Sequence, residues 1–218
     1  MKHITIATAA TLLMVSCNTT NPLLQESTLP YGAPQFDKIR NEHYMPAFRQ
    51  GIEEAKAEID AIVANTDAPS FENTIEAMER SGKTLNRVSN IFFNVLEADS
   101  DEQMQRIAEE VSPLLNEYEM YVSLNEALFA KVKAVWEQRE SLGLEKDQLR
   151  LLEKTYKGFT RGGANLEGED RQQYAALNEQ LSLATLKFGR NVLAATNAFK
   201  LNITDEAKLA GLPQYVID

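Results

Sequence analysis

From residue 44 onward, apolar side chains recur every three or four positions, and strictly alternating stretches are almost absent. The longest run is Met104, Ile107, Val111, Leu114, Leu115, Tyr118, Val122, Leu128, Val132 and Trp136, which holds this period almost to Arg139. Spacings of three and four gather side chains on one face of an α-helix, whereas a strand needs every second residue. The chain is therefore expected to be all-α, with about six to eight helices of the lengths such periodic segments give.

The punctuation between the periodic segments predicts the individual helices. The first is expected to start near Pro46 and to carry Ile52, Ala55, Ile59, Ile62 and Val63 on one face, ending at Asn65 to Pro69. Ser70 is the expected N-cap of a second helix, interrupted at Gly82 and continued by Leu85, Val88, Phe92 and Val95. Ser100-x-x-Gln103 has the form of a capping box for the third. That helix either runs unbroken for about 37 residues, bent at Pro113, or divides at a turn near Leu124-Asn125. Further helices are predicted near 145 to 160 and from Glu167 to Ala198, the latter with Leu177, Leu181, Ala184, Phe188 and Val192 as its apolar face. Thr204 is expected to cap a short helix ending at Gly211. Pro213 stands where another would begin, which leaves truncation or a frayed natural C-terminus as readings of the end.

Residues 1–17, MKHITIATAATLLMVSC, combine one early lysine with an uncharged apolar stretch that is too short to span a bilayer as a helix. They read as a signal peptide. The Val15-Ser16-Cys17 ending resembles a bacterial lipoprotein signal, with Cys17 lipidated as the mature N-terminus; a buried free thiol in an ordinary secreted protein is the alternative. Asn18, rather than aspartate, follows the cysteine, which favours the outer membrane or cell surface over the inner membrane for an exported, periplasmic or surface-side lipoprotein. Cys17 is the sole cysteine, so no disulfide is expected to form. Residues 18–30 read as a tether, and 31–218 as the helical region. Asp plus Glu outnumber Lys plus Arg by 32 to 22, and no basic cluster tracks phosphates, so nucleic acid is not an expected partner.

Glu42-His43 is the most suggestive dipeptide for chemistry, yet His3 and His43 are the only histidines, and H-E-x-x-H does not occur. A zinc site draws three or four ligands from His, Cys and carboxylates, often two histidines one helical turn apart, so His43 is expected to be a surface or packing residue. Glu53-Glu54, Glu109-Glu110 and the Glu167/Glu169/Asp170 group are expected on solvated helix faces or in a first turn, where the helix dipole accounts for acidic residues. Gly162-Gly163 reads as a helix stop, not a phosphate loop. Tyr118, Tyr121, Phe129 and Trp136 fall at helical spacing and are expected to pack in the core. No catalytic, cofactor-binding or metal-ligating residue is assigned, and Cys17 is the one modification site.

Five ordered blocks carry a family resemblance: NPLLQESTLPYGAPQFDKIRNEHYMPAF (21–48), FENTIEAMERSGKTLNRVSNIFF (71–93), LFAKVKAVWEQRESLGL (128–144), LNEQLSLATLKFGRNVL (177–193) and LAGLP (209–213). Together they resemble the N-terminal part of bacterial peptidyl-dipeptidases, or dipeptidyl carboxypeptidases, of the thimet oligopeptidase and oligopeptidase A family of zinc metallopeptidases. The resemblance implies two mostly helical halves around a deep channel, with zinc held by H-E-x-x-H and a later glutamate, and with C-terminal dipeptides removed from short peptides having free C-termini. Those ligands belong to a region downstream of the matching blocks. The chain is thus expected to be the N-terminal channel-wall portion of such an enzyme, with the C-terminal catalytic region as its missing partner and no activity alone. The alternative is a stand-alone helical lipoprotein that binds peptides or another partner without catalysis.

Overall fold

A computed structural model describes residues 21–217; the expected signal peptide and Cys17 lie outside the described residues. Within them all regular structure is helical. The principal elements are α1 (Asn41–Ala64), α2 (Ala77–Arg80), α3 (Lys83–Ala98), α4 (Glu102–Ser123), α5 (Glu126–Glu137), α6 (Lys146–Arg161), α7 (Gly168–Ala198) and α8 (Gln214–Ile217), with a π-helical turn at Phe71–Glu76 leading into α2. No described helix is long and apolar enough to cross a membrane.

Helix α1 is the axis of the body. Its buried positions, from Tyr44 through Ala47, Phe48, Gly51, Ile52 and Ala55 to Ile59 and Ile62, keep one face inward for its whole length. The N-terminal half joins α3 and α4 in one hydrophobic cluster, where Phe92 meets Tyr44 and Phe48 edge-on at ring-centroid distances of 4.8 and 5.4 Å. The C-terminal half joins Phe71, Ile75, Leu128, Val132, Val135, Leu152 and Phe159 in a second cluster. Fully burying side chains of this size contributes about 1.5–3 kcal/mol each, so the two clusters hold the body together. Gly51 sets the closest approach: a Cβ there would lie 3.0 Å from the Leu85 Cα, so only glycine lets α1 and α3 touch backbone to backbone.

Several boundaries differ from the sequence expectation, each for a local hydrogen-bonding reason. Helix α1 starts at Asn41, a full turn before Pro46, because the Arg40 N–H donates to His43 Nδ1 at 3.0 Å and the His43 N–H to the Arg40 carbonyl at 2.9 Å. Asp101, not Ser100, caps α4: its carboxylate accepts from the Met104 N–H at 2.7 Å, while the Ser100 hydroxyl accepts from Gln105 Nε2. Of the two readings of the long run the divided one holds, at the expected Leu124-Asn125 turn, since Asn125 Oδ1 accepts from the Leu128 N–H at 2.9 Å and opens α5. At the C-terminal end the cap is Asp205 rather than Thr204, and it serves a single 3₁₀ turn. Leu23 is 1 % exposed and its carbonyl accepts from Arg87 Nε, so the chain joins the body at Asn21–Leu24, ahead of the 30/31 boundary.

Helix α7 lies against α4. A Ser112–Ser182 hydroxyl pair at 2.6 Å and an Arg190–Glu109 ion pair mark the contact, and Arg171 reaches the Leu124 carbonyl and Glu126 at the α4–α5 break. None of its 31 residues is buried.

Candidate functional site

Where the two hydrophobic clusters meet, the packing leaves a cleft of about 520 Å³ between α2, α3, α4 and α6. Glycines open it. Gly82, at φ +67°, turns the chain from α2 into α3, and its N–H donates to Glu58 Oε2 at 2.6 Å. A left-handed residue at that point is cheapest as glycine, and the missing side chain keeps the space beside Tyr118 clear. On the opposite wall Gly158 has no atom within 4 Å of where a Cβ would stand.

The cleft is lined by Ile59, Met78, Leu85, Leu115, Val122 and Phe159, with hydroxyls set among them. Ser81 and Thr155 hydroxyls are engaged with the carbonyls of Met78 and Leu151. The Ser123 Oγ is buried and has no hydrogen-bond partner among the described residues. A buried hydroxyl without a partner costs roughly 1–3 kcal/mol, which a bound acceptor or donor would offset. Burial raises the Tyr118 phenol above its ordinary range, and the nearby Glu58 charge pushes the same way. The cleft's apolar walls with a few polar groups are of a kind that a small, largely apolar group would fit. Histidine is not part of its lining.

The residues weighed from sequence are dispersed. His43 sits at the start of α1 as a capping residue: Nδ1 accepts from Arg40, Nε2 stands 4.0 Å from Glu42, and its carbonyl accepts from Asn21 Nδ2 at 2.8 Å. Among the described residues no group of three or more His, Cys, Asp and Glu is placed to hold a metal ion, so the side chains present do not fit a zinc site. Glu53, Glu54, Glu109, Glu110, Glu167, Glu169 and Asp170 are all exposed on helix faces or at the start of α7. Gly162 and Gly163 end α6, with the Ala164 N–H returning to the Phe159 carbonyl.

Tyr118, Tyr121, Phe129 and Trp136, expected in the core, pack against the two clusters while staying partly exposed at their edges. Trp136 stacks on Tyr156 at 4.9 Å and 5°, with Phe129 continuing the stack and the Arg139 guanidinium 4.3 Å from the indole ring. The cleft itself was not foreseen. Its one signal in the sequence is Gly82 between two apolar runs that share a helical period, and nothing local says that Ser123 faces the same space.

Comparison with known proteins places these helices. Over 199 residues, 91 % of this chain, the sequence is 43 % identical to the dipeptidyl carboxypeptidase of Escherichia coli, of which the match covers 29 %. This chain is homologous to the N-terminal portion of dipeptidyl carboxypeptidase. The Salmonella typhimurium dipeptidyl carboxypeptidase is likewise 43 % identical over 88 % of the chain and 28 % of its own length. The Salmonella typhimurium oligopeptidase A follows at 28 % identity over 89 % of the chain and 28 % of its own length. The chain thus spans less than a third of the curated relatives it matches. No protein-family model matches it.

Proposed function

We propose that residues 21–217 serve as the helical N-terminal portion of a zinc metallopeptidase that removes C-terminal dipeptides from short peptides, and that they form part of the wall of its substrate channel. The observation that carries this reading is the 43 % identity sustained over 91 % of the chain with dipeptidyl carboxypeptidase. The all-helical body and a cleft suited to an apolar group support it. Zinc would supply the polarised water for hydrolysis, and its ligands would come from elsewhere in the enzyme, since the described residues offer no fitting set. What this chain's own residues contribute is shape: α1 fixes α3 and α4 on one side and α5 on the other, and α6 packs on α5 and the Phe71–Glu76 turn, which holds the cleft open between them.

In the same reading, a signal peptide over residues 1–17 and a lipidated Cys17 would make this an exported protein held to the membrane by lipid. Mass spectrometry of the exported protein should find Cys17 acylated and N-terminal, and Cys17→Ser should release the protein from the membrane fraction. The peptidase reading is tested by a chimera in which this chain replaces the matching portion of the Escherichia coli dipeptidyl carboxypeptidase. Dipeptide release from a blocked tripeptide is the expected result, and a folded but silent chimera would overturn the reading. The isolated chain is expected to release nothing; chelator-sensitive hydrolysis by it would show that the zinc ligands had been misplaced.

A further inference from the structure

Helix α7 carries two parallel stripes with the same spacing. Arg171, Ala175, Asn178, Ser182 and Leu186 are partly buried, as is Tyr174 beside Gly163, and apart from Leu186 and Tyr174 these residues are small, polar or charged. Leu177, Leu181, Ala184, Phe188 and Val192 repeat those intervals six residues later, about a third of a turn around the helix, and all are exposed. Leu177, Leu181 and Phe188 are 62, 63 and 69 % accessible, and Phe199, the C-cap residue directly after Ala198, is 74 %. The more apolar stripe is therefore the bare one. From Leu177 to Phe199 it runs about 33 Å at 1.5 Å per residue and includes no charged side chain. A continuous apolar strip of this length marks an interaction surface.

We infer that the bare stripe of α7 is the seam on which the polypeptide forming the remaining length of the dipeptidyl carboxypeptidases docks. The inference rests on the functional reading above and adds the surface that joins the two parts. Three observations choose this occupant. The relatives this chain matches extend for more than twice its length beyond the matched portion, so they have ample polypeptide to cover the strip. The rims are neutral: Asn178, Thr185 and Thr196 on one side and Gln180 and Asn191 on the other, whereas a lipid surface would call for lysine and arginine there. Beyond Ala198 the apolar character continues without a partner in Leu201 and Ile203, 71 and 41 % exposed, so the strip extends past the helix that carries it.

The test uses single-cysteine proteins in a Cys17→Ser background, with Phe188→Cys on the bare stripe and Lys187→Cys on the polar side. Maleimide labelling at each position, followed by peptide mapping, is measured in the isolated chain and in the chimera with the Escherichia coli enzyme. Both positions should label readily in the isolated chain. In the chimera, labelling at F188C should be largely lost while K187C keeps its rate. Undiminished labelling of F188C in a chimera that releases dipeptides would overturn the docking seam and leave the peptidase reading standing. Protection of F188C in a folded but inactive chimera would support the seam and remove the peptidase reading. If F188C is already protected in the isolated chain and sedimentation gives twice the monomer mass, the occupant is a second copy and the inference fails; an insoluble chimera overturns it as well.

Discussion

The body formed by α1 to α6 and the helix α7 use the same sequence language to opposite ends. In the body, each apolar stripe faces another: Phe48 and Phe92 are fully enclosed between α1 and α3, and Leu128 and Leu152 between α5 and α6. In α7 the comparable stripe faces outward, and the helix is held to α4 by a hydroxyl pair, an ion pair and the half-buried Leu186. Apolar periodicity therefore predicts that a helix will form and which face wants cover. It does not say that the cover lies within the same stretch of chain.

The largest effect separates the two regions outright. Phe92→Ala should cost about 3–5 kcal/mol of unfolding free energy, because the ring is enclosed and touches Tyr44, Phe48 and Phe93. Phe188→Ala should change stability by no more than about 0.5 kcal/mol. Denaturant unfolding of both variants reads the difference, and equal losses would mean that α7 is buried in solution.

A smaller effect tests how tightly the body is drawn together. Gly51→Ala forces a methyl group against the backbone of Leu85 and should destabilise by about 1–3 kcal/mol, the usual cost of overpacking. Because α1 spans both clusters, the whole body should still unfold as one transition; two transitions would show the clusters to be independent.

Below that comes the α4–α5 break. Asn125→Ala removes the cap of α5 and should cost about 1 kcal/mol, read as a shift in midpoint at unchanged slope. An unchanged midpoint would mean that α5 is positioned by Arg171 of α7 instead, tying the two regions more closely than the packing suggests.

The smallest effect is on acid sensitivity. The Met104 N–H, then Asn41, hold the Asp101 carboxyl below its ordinary range, and Lys157 and Arg150 do the same for Glu153. A carboxyl that is harder to protonate folded than unfolded stabilises above the unfolded pKa, near 4, and that contribution fades as pH falls through the lower folded value. The melting temperature should therefore drop on acidification below about pH 4, and Asp101→Asn should flatten the profile. A profile as steep in D101N as in the parent would assign the acid sensitivity to other groups.

Much of the body was legible in the sequence because its signals are local. Periodicity found the helices, and Asn65 to Pro69 followed by Ser70 marked the break between the first two. What misled were choices among adjacent candidates. Ser100 and Asp101 can both cap α4, and the carboxylate wins because it offers a charged acceptor to the helix N-terminus. Pro46 looked like a first-turn residue, yet the reciprocal bonds between Arg40 and His43 start α1 earlier. The cleft was hidden because Gly82, the α4 residues Tyr118 and Ser123, and Phe159 of α6 come from three segments whose meeting no single segment encodes.

The sequence by itself determined that this chain is helical, where most of its helices begin and end, and which relatives share its pattern, since each follows from the order of neighbouring residues. Only the tertiary structure decided that α1 bridges two clusters, that a cleft with an unpaired hydroxyl lies between them, and that the most apolar stripe of α7 is the one left in water. Those outcomes depend on which surfaces reach one another in space, and hydrophobic burial, having no direction of its own, is indifferent to where along a polypeptide the covering surface comes from.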